Sequence, residues 1–344
     1  MLGDETPDAY EKARTTIANF IGARQEEVVF TRNTTEGINL VARSLRLKRD
    51  DAVLTSDKEH NSNLLPWLLA RERGIHHVVV PSADDNTFDM TSFEAMLKKK
   101  EPALVALVFT SNLDGVTIPA KEIVKTCHDH NALVLLDAAQ TVPHQPVDVH
   151  KLGVDFLAFS GHKMLGPTGT GALFVRKDLF ESLSPFMLGG ETVDDSTYSG
   201  FTLRKPPQRY EAGLQDYAGI SGFARAARYL QDIGFDRIQR HERTLTKLIA
   251  DGIEAIPGLR IIGPDAEQRG SITSFIVDGM NHHDIALLLS KSYAVMVRSG
   301  RHCVHSWFNS RHIDGSCRVS LYLYNTEEEC AAFIDALHAI AKMR

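Results

Sequence analysis

Residues 132–163 read ALVLLDAAQTVPHQPVDVHKLGVDFLAFSGHK, and this stretch decides the fold. Its two apolar runs, ALVLL at 132–136 and DFLAF at 155–159, are short and continuous rather than alternating. Such runs suit strands buried on both faces, as in a parallel sheet between layers of helices. Each run ends in residues with chemistry: Asp137 after the first, Ser160-Gly161-His162-Lys163 after the second. In open α/β sheets, ligands sit beyond the carboxyl ends of the strands.

Working outward, further strands are predicted at EVVF (27–30), AVLT (52–55), HHVVV (76–80), ALVALVF (103–109) and GALFV (171–175). Helical patterns fall between most of them, at 8–21, 35–46, 61–73, 91–100 and 119–130. This alternation predicts an α/β fold: a large, mostly parallel sheet covered by helices. The texture changes after about 180. Residues 186–213 are rich in Gly, Pro and polar residues and read as an ordered functional loop or lid. A helical stretch follows from 215 to 256, broken near Gly234 and ended by Pro257-Gly258. The rest reads as strand 271–277, helix 282–290, strand 293–297, strand 317–322 and helix 326–342. Residues 1–228 are therefore assigned to a large domain, and 229–344 to a smaller C-terminal α+β domain.

At 344 residues the chain is long enough for about two domains. Hydrophobic residues make up 43% and charged residues 24%, which permits a large core and excludes global disorder. The net charge of −6 is spread without a basic block, so neither nucleic acid nor an anionic membrane is an expected partner. No apolar run reaches the roughly 20 residues a membrane helix needs. The start has no secretory pattern, and the four cysteines are too few and scattered for a disulfide framework. A cytoplasmic enzyme is expected.

The candidate site residues each admit a plain reading beside the chemical one. Asp137 serves equally as a helix cap, and a strand-end lysine is usually a solvated charge. Together, however, Asp137 and Lys163 match the use of such a pair in pyridoxal phosphate enzymes. There lysine forms a Schiff base with the cofactor, and the carboxylate pairs with the pyridinium nitrogen. Asn33-Thr34-Thr35-Glu36 opens a predicted helix, where free N–H groups and threonine hydroxyls suit a phosphate; an ordinary N-cap has the same look. His60, after AVLT, could stack on a ring or shuttle a proton, or do neither. Gly166-Pro167-Thr168-Gly169-Thr170-Gly171 lacks a P-loop ending and reads as a tight turn into GALFV.

No metal is expected. Cys127-His128-Asp129-His130 ends a predicted helix, where adjacent side chains diverge, and no second ligand cluster accompanies His302-Cys303-Val304-His305. Cys303 lies in a polar loop with Arg298 and Arg301, an environment that favours thiolate. Cys127, Cys317 and Cys330 fall in predicted elements and read as structural.

The segments TRNTTEGINLVA, KEHNSNLLPW, TSNLDGV, LLDAAQTVPHQPVDV, FSGHKMLGPTGTG, RYEAG, VRSGRHC and CRVSLYLYNTEEE occur in this order. In that order the chain resembles the type II cysteine desulfurase/selenocysteine lyase family of the class V aminotransferase group. The resemblance implies a fold-type I pyridoxal phosphate transferase, Lys163 as the Schiff-base lysine, Asp137 as the pyridinium partner and His60 as the stacking and proton-shuttling residue. It implies Gln140 on the cofactor's phenolic oxygen and Thr35, Ser160 and His162, beside Thr34, at the phosphate. Asn112 and Arg318 would hold the substrate, with Arg298 shaping the site. Cys303 would attack the substrate sulfur, releasing alanine and keeping a persulfide.

The resemblance further implies a homodimer and a sulfur-acceptor or scaffold protein in iron–sulfur cluster or thio-cofactor assembly. It also implies several dozen residues ahead of LGDET, a hydroxyl where Leu214 stands, and His where Arg301 stands, which changes the charge beside the thiol. The alternatives are L-selenocysteine as substrate, another class V lyase or aminotransferase, or a shortened, catalytically impaired sulfur-relay or binding protein.

Overall fold

The computed structural model describes residues 2–343. The chain runs through α1 (Leu2–Phe20), β1 (Val28–Thr31), α2 (Thr34–Ser44), β2 (Ala52–Ser56), α3 (Asn61–Ala70), β3 (His76–Val80) and α4 (Met90–Lys100). It continues through β4 (Leu104–Val108), α5 (Ala120–Asp129), β5 (Leu133–Asp137), α6 (Val149–Leu152), β6 (Phe156–Ser160) and β7 (Gly171–Val175). These strands form one sheet in the order β1-β7-β6-β5-β4-β2-β3, in which β7 alone runs against its neighbours.

The continuous apolar runs have the predicted consequence. Val105, Leu107, Val134, Leu136, Leu157 and Phe159 pack on one face with Ile17, Ile123 and Leu230 of flanking helices. The intervening Leu104, Ala106, Leu135, Phe156 and Ala158 pack on the other with Ile38, Val41 and Trp67. This is the period-two alternation of a strand, with apolar side chains on both sides. Cys127 is buried in the first of these cores.

The loop-like segment after residue 186 contains an exposed hairpin, β8 (Val193–Thr197) and β9 (Gly200–Leu203), which its polar composition hid. Beyond it, Glu211 of the RYEAG segment ties the first helix to the sheet. Its carboxylate accepts from Arg14 Nη2 at 2.8 Å, Tyr10 Oη at 3.0 Å and the Phe30 backbone N–H at 2.6 Å.

The predicted break at Gly234 separates α7 (Tyr217–Ile233) from α8 (Phe235–Glu254), with the glycine at φ +88°. Helix α7 runs through residue 228. The chain continues as β10 (Leu259–Ile262), β11 (Ile272–Val277), α9 (His282–Tyr293), β12 (Arg298–Gly300), α10 (His305–Ser310), β13 (Ser316–Ser320) and α11 (Glu327–Ala341). The second sheet, β10-β11-β13-β12, is antiparallel and packs its own core from α8, α9 and α11, with Leu245, Phe275, Leu289 and Phe333 buried in it together with Cys317 and Cys330.

One strand is displaced from its expected place. The apolar stretch 293–297 is not a strand: α9 extends to Tyr293 and ends on Ala294 at φ +54°, and pairing starts only at Arg298. Its side chains partly pack against the second core, so burial, not strand pairing, accounts for the hydrophobicity of Val295 and Val297.

Candidate active site

The candidate residues gather where the parallel strands end. Asp137 is the last residue of β5, Ser160 the last of β6, and His162 and Lys163 lie in the turn that follows. His60 follows β2 as the N-cap of α3, and Thr34 opens α2 behind its N-cap Asn33. The glycine-rich segment is a tight return into β7, as predicted. A side chain on Gly171 would meet backbone atoms of Asn33 and Phe159, both at 2.7 Å. That close approach seats the start of α2 against the ends of β6 and β7.

A cavity of about 270 Å³ opens here. Thr34, Thr35, His60, Asn112, Asp137, Gln140, Ser160, His162, Lys163, Arg298 and Arg318 all line it. Of the predicted site residues, Cys303 alone is not in the lining; its Sγ accepts a hydrogen bond from Arg298 Nη2 at 3.2 Å, at the edge of the cavity. Sequence reasoning did not pick out Ser62 and Thr110, which line it too. Thr110, just past the end of β4, was discoverable by the strand-end rule. Ser62 Oγ lies 2.7 Å from Thr35 Oγ1, a pairing that no sequence spacing announces.

At the α2 end, the Thr34 backbone N–H and hydroxyl both meet Ser160 Oγ, at 2.8 and 2.6 Å. Thr35 and His162 stay exposed beside them. Helix N-terminal N–H groups and clustered hydroxyls make a site for an anion.

In the cavity, Asp137 is buried and Lys163 partly so. Burial raises the Asp137 pKa, partly opposed by the Lys163 charge. Burial likewise lowers that of Lys163, against the pull of Asp137. Lys163 Nζ has no hydrogen-bond partner among the described residues. An amine held below its ordinary range keeps a larger neutral, nucleophilic fraction.

His60 is pushed down to about 4, by burial first and then by the positive charges of Lys163, Arg298 and Arg318. Its Nδ1 accepts the Ser62 N–H at 3.1 Å, so the neutral ring carries its proton on Nε2. Next to it, Glu59 is fully enclosed and raised to about 7 by burial, although Ser56, Val108 and Asn63 all donate to it.

The opposite wall is cationic. Arg298 and Arg318 are direct partners across β12 and β13. Like charges in that register destabilise a sheet, and burial followed by the Arg298 charge lowers Arg318 to about 10. Arg318 Nη1 donates to the Asn112 carbonyl at 2.9 Å, while its buried Nε lacks a partner. A carboxylate ligand would relieve the repulsion between the two guanidinium groups. Arg301 points elsewhere, donating to the Asp314 carbonyl at 3.1 Å and Asn309 Oδ1 at 2.8 Å, so Arg298 is the cation in contact with the thiol.

His302 and Cys303 both have positive φ, +49° and +62°. For residues other than glycine this costs about 1–2 kcal/mol each. His128 and His130, in the rejected metal motif, are engaged by Asp155 and the Thr126 carbonyl, both at 2.9 Å. Among the described residues no group of three or more His, Cys, Asp or Glu is placed to hold a metal. Hollows of about 380 and 430 Å³ elsewhere are larger than this cavity, but neither holds a lysine–carboxylate pair.

Residues 1–333 match the family model described as aminotransferase class-V. The chain belongs to this family. Within it, the chain is 42% identical to a probable cysteine desulfurase 2 of Mycobacterium leprae, over 95% of this chain and 80% of the relative. Among solved structures it resembles the apo cysteine desulfurase of Thermococcus onnurineus NA1, with TM-score 0.95 and 37% identity over 100% of this chain and 86% of that one. It also resembles the cysteine desulfurase CsdA of Escherichia coli in an S-sulfonic acid form, with TM-score 0.93 and 31% identity over 99% and 85%. The fold is therefore that of the fold-type I class-V aminotransferases, and the chain is an enzyme of the cysteine desulfurase kind. Among the described residues no helix is long and apolar enough to cross a membrane.

Proposed function

We propose that the protein uses pyridoxal 5'-phosphate to convert L-cysteine to L-alanine and retains the sulfur as a persulfide on Cys303. The observation that carries this reading is the position of Cys303 Sγ, 3.2 Å from an arginine that lines the same cavity as Lys163 and Asp137. The residues present fit the cofactor. A lysine with reduced basicity suits its aldehyde, Asp137 suits a protonated ring nitrogen, and the α2 N-terminus with Thr34, Thr35, Ser160 and His162 suits its phosphate. Gln140 would meet the phenolic oxygen. When bound, the cofactor supplies the electron sink that loosens bonds at the substrate's α- and β-carbons.

The chain's own residues do the rest. Arg318, in the cavity lining, takes the substrate carboxylate. Asn112, which lines the cavity, gives one N–H of its amide to the His302 carbonyl and faces the substrate's amino-acid portion. His60 presents a neutral ring and an Nε2–H donor. Arg298 steadies the Cys303 thiolate, which attacks the substrate sulfur. The S–S bond forms as the C–S bond breaks, its electron pair stays with the substrate carbon, and a proton taken up there completes alanine.

The same reading includes a homodimer, a cytoplasmic location and delivery of sulfur to an acceptor protein for iron–sulfur cluster or thio-cofactor assembly. Exposed Leu214, Tyr198 and Phe201 support the dimer as apolar surface that a second copy would cover. It also includes a cofactor-binding and a cysteine-bearing domain divided at 228/229; the separate core of the second sheet supports two domains, while α7 carries the first core past that point to Leu230.

Replacement of Cys303 by serine tests the assignment. The Cys303→Ser variant should bind cofactor with unchanged visible absorption, yet form no persulfide and transfer no sulfur. Sulfide output equal to that of the parent enzyme would remove Cys303 from the mechanism.

A further inference from the structure

The turn carrying Cys303 is held in its left-handed conformation largely from outside its own segment. Asn112 Nδ2 donates to the His302 carbonyl at 2.7 Å, in a buried contact. The Asn61 backbone N–H, at the start of α3, donates to the Cys303 carbonyl at 2.7 Å. Ser316 Oγ lies 2.8 Å from His302 Nε2. Within the turn, Val304 N–H donates to the Arg301 carbonyl at 2.8 Å. Two consecutive non-glycine residues at positive φ persist only where the surroundings over-determine them.

Two of these holds join the cysteine turn to the cofactor side, the Asn61 backbone N–H beside His60 and the Asn112 amide, and only the second is made by a side chain. Asn112 follows β4, lines the cavity, and receives Arg318 through its own carbonyl. We propose that Asn112 is a positioning residue for the nucleophile: its amide clamps the His302 carbonyl and so keeps Cys303 Sγ against Arg298. The functional consequence rests on the desulfurase reading; the clamp does not. A side chain that only held substrate would have no need of a buried 2.7 Å hydrogen bond to the cysteine loop.

The test uses cofactor-saturated protein and the rate at which a bulky maleimide labels Cys303, followed by mass spectrometry of its peptide. All variants are labelled at the same near-neutral pH and the same maleimide concentration, so that the rates compare directly. Buried Cys127, Cys317 and Cys330 serve as internal references. Asn112→Ala should label about five-fold faster, the change in turn opening expected from losing one hydrogen bond. Ser316→Ala, which frees the same turn at the His302 ring and lies outside the cavity lining, should move the rate in the same direction.

Unchanged labelling in both variants, with cofactor absorption retained, would overturn the clamp. If Asn112→Ala does not fold, Asn112→Leu, which keeps the bulk and removes the donor, takes its place. In turnover, the clamp predicts that Ser316→Ala lowers kcat with KM for cysteine nearly constant, while Asn112→Ala lowers kcat and raises KM as well. A rise in KM alone, with unchanged labelling, would reduce Asn112 to a substrate contact. Should the parent enzyme form no alanine, the desulfurase reading fails while the labelling rates still decide the clamp.

Discussion

The two halves of the candidate site are built by different means. The cofactor floor is made of strand ends and helix starts. Asp137 closes β5, Lys163 follows β6 by one short turn, and Thr34 opens α2, so each side chain is aimed by backbone that the sheet has already fixed. The cysteine turn has no such frame. It follows a three-residue strand, adopts left-handed backbone at two non-glycine residues, and is held by Asn112, 190 positions away in sequence. The floor is therefore rigid by topology, whereas the turn depends on particular side chains. Substitutions in the floor should cost cofactor binding, and those at the turn should cost sulfur transfer while leaving the cofactor in place.

The largest expected effect breaks the floor. Lys163→Ala should lose the visible absorption of the bound cofactor after dialysis against an amine, and turnover should drop by about a thousand-fold or more. An unchanged spectrum would exclude Lys163 as the attachment point. At the turn, Arg298→Ala removes the only cation in contact with Cys303 Sγ among the described residues. Persulfide formation should slow by about ten- to a hundred-fold, as for a lost hydrogen bond to a charged group, with the cofactor spectrum intact. Loss of cofactor in this variant would erase the distinction between the two halves.

A smaller effect is expected at Gly171. An added methyl would press on the backbone of Asn33 and Phe159, so Gly171→Ala should cost about 1–3 kcal/mol in urea unfolding and weaken cofactor affinity. A stable variant with ordinary affinity would show that this contact does not set the α2 end of the cavity.

The smallest effect concerns pH. His60 and His302 are depressed to about 4 and 3, chiefly by burial, so the stability they contribute is lost as pH falls below about 6.5. Glu59 has the opposite sign: raised to about 7 from 4.5, its contribution is complete below 4.5 and is lost as pH climbs through 7. Glu59→Gln removes the opposing share. Its stability should therefore rise more steeply than the parent's between pH 4.5 and 7, by on the order of 2 kcal/mol across that window. Parallel pH profiles would show that Glu59 does not titrate in this range.

The same contrast explains what was legible in the sequence. Strand ends announce themselves, because a buried apolar run must stop and the residue after it faces the crevice; Asp137, Lys163 and His60 were found that way. The sheet's two faces followed from runs such as LVALV, which carry no polar alternation. Contacts between distant segments left no such trace. That Asn112 spends its amide on the cysteine loop, that Ser62 meets Thr35, and that Arg301 turns away from the thiol all depend on side-chain directions set by tertiary packing. The misplaced strand at 293–297 has the same origin, since an apolar stretch packed as an irregular edge looks like a strand until its partners are known. The exposed hairpin at 193–203 was obscured from the other direction, by a composition suited equally to loops.

The most direct test of the account is to incubate the cofactor-saturated protein with L-cysteine, with and without a reductant, and to quantify alanine, pyruvate and sulfide. Alanine in step with reductant-dependent sulfide is the predicted result, since sulfur held on Cys303 is released only when the persulfide is reduced. Pyruvate in place of alanine, or no product at all, would contradict it.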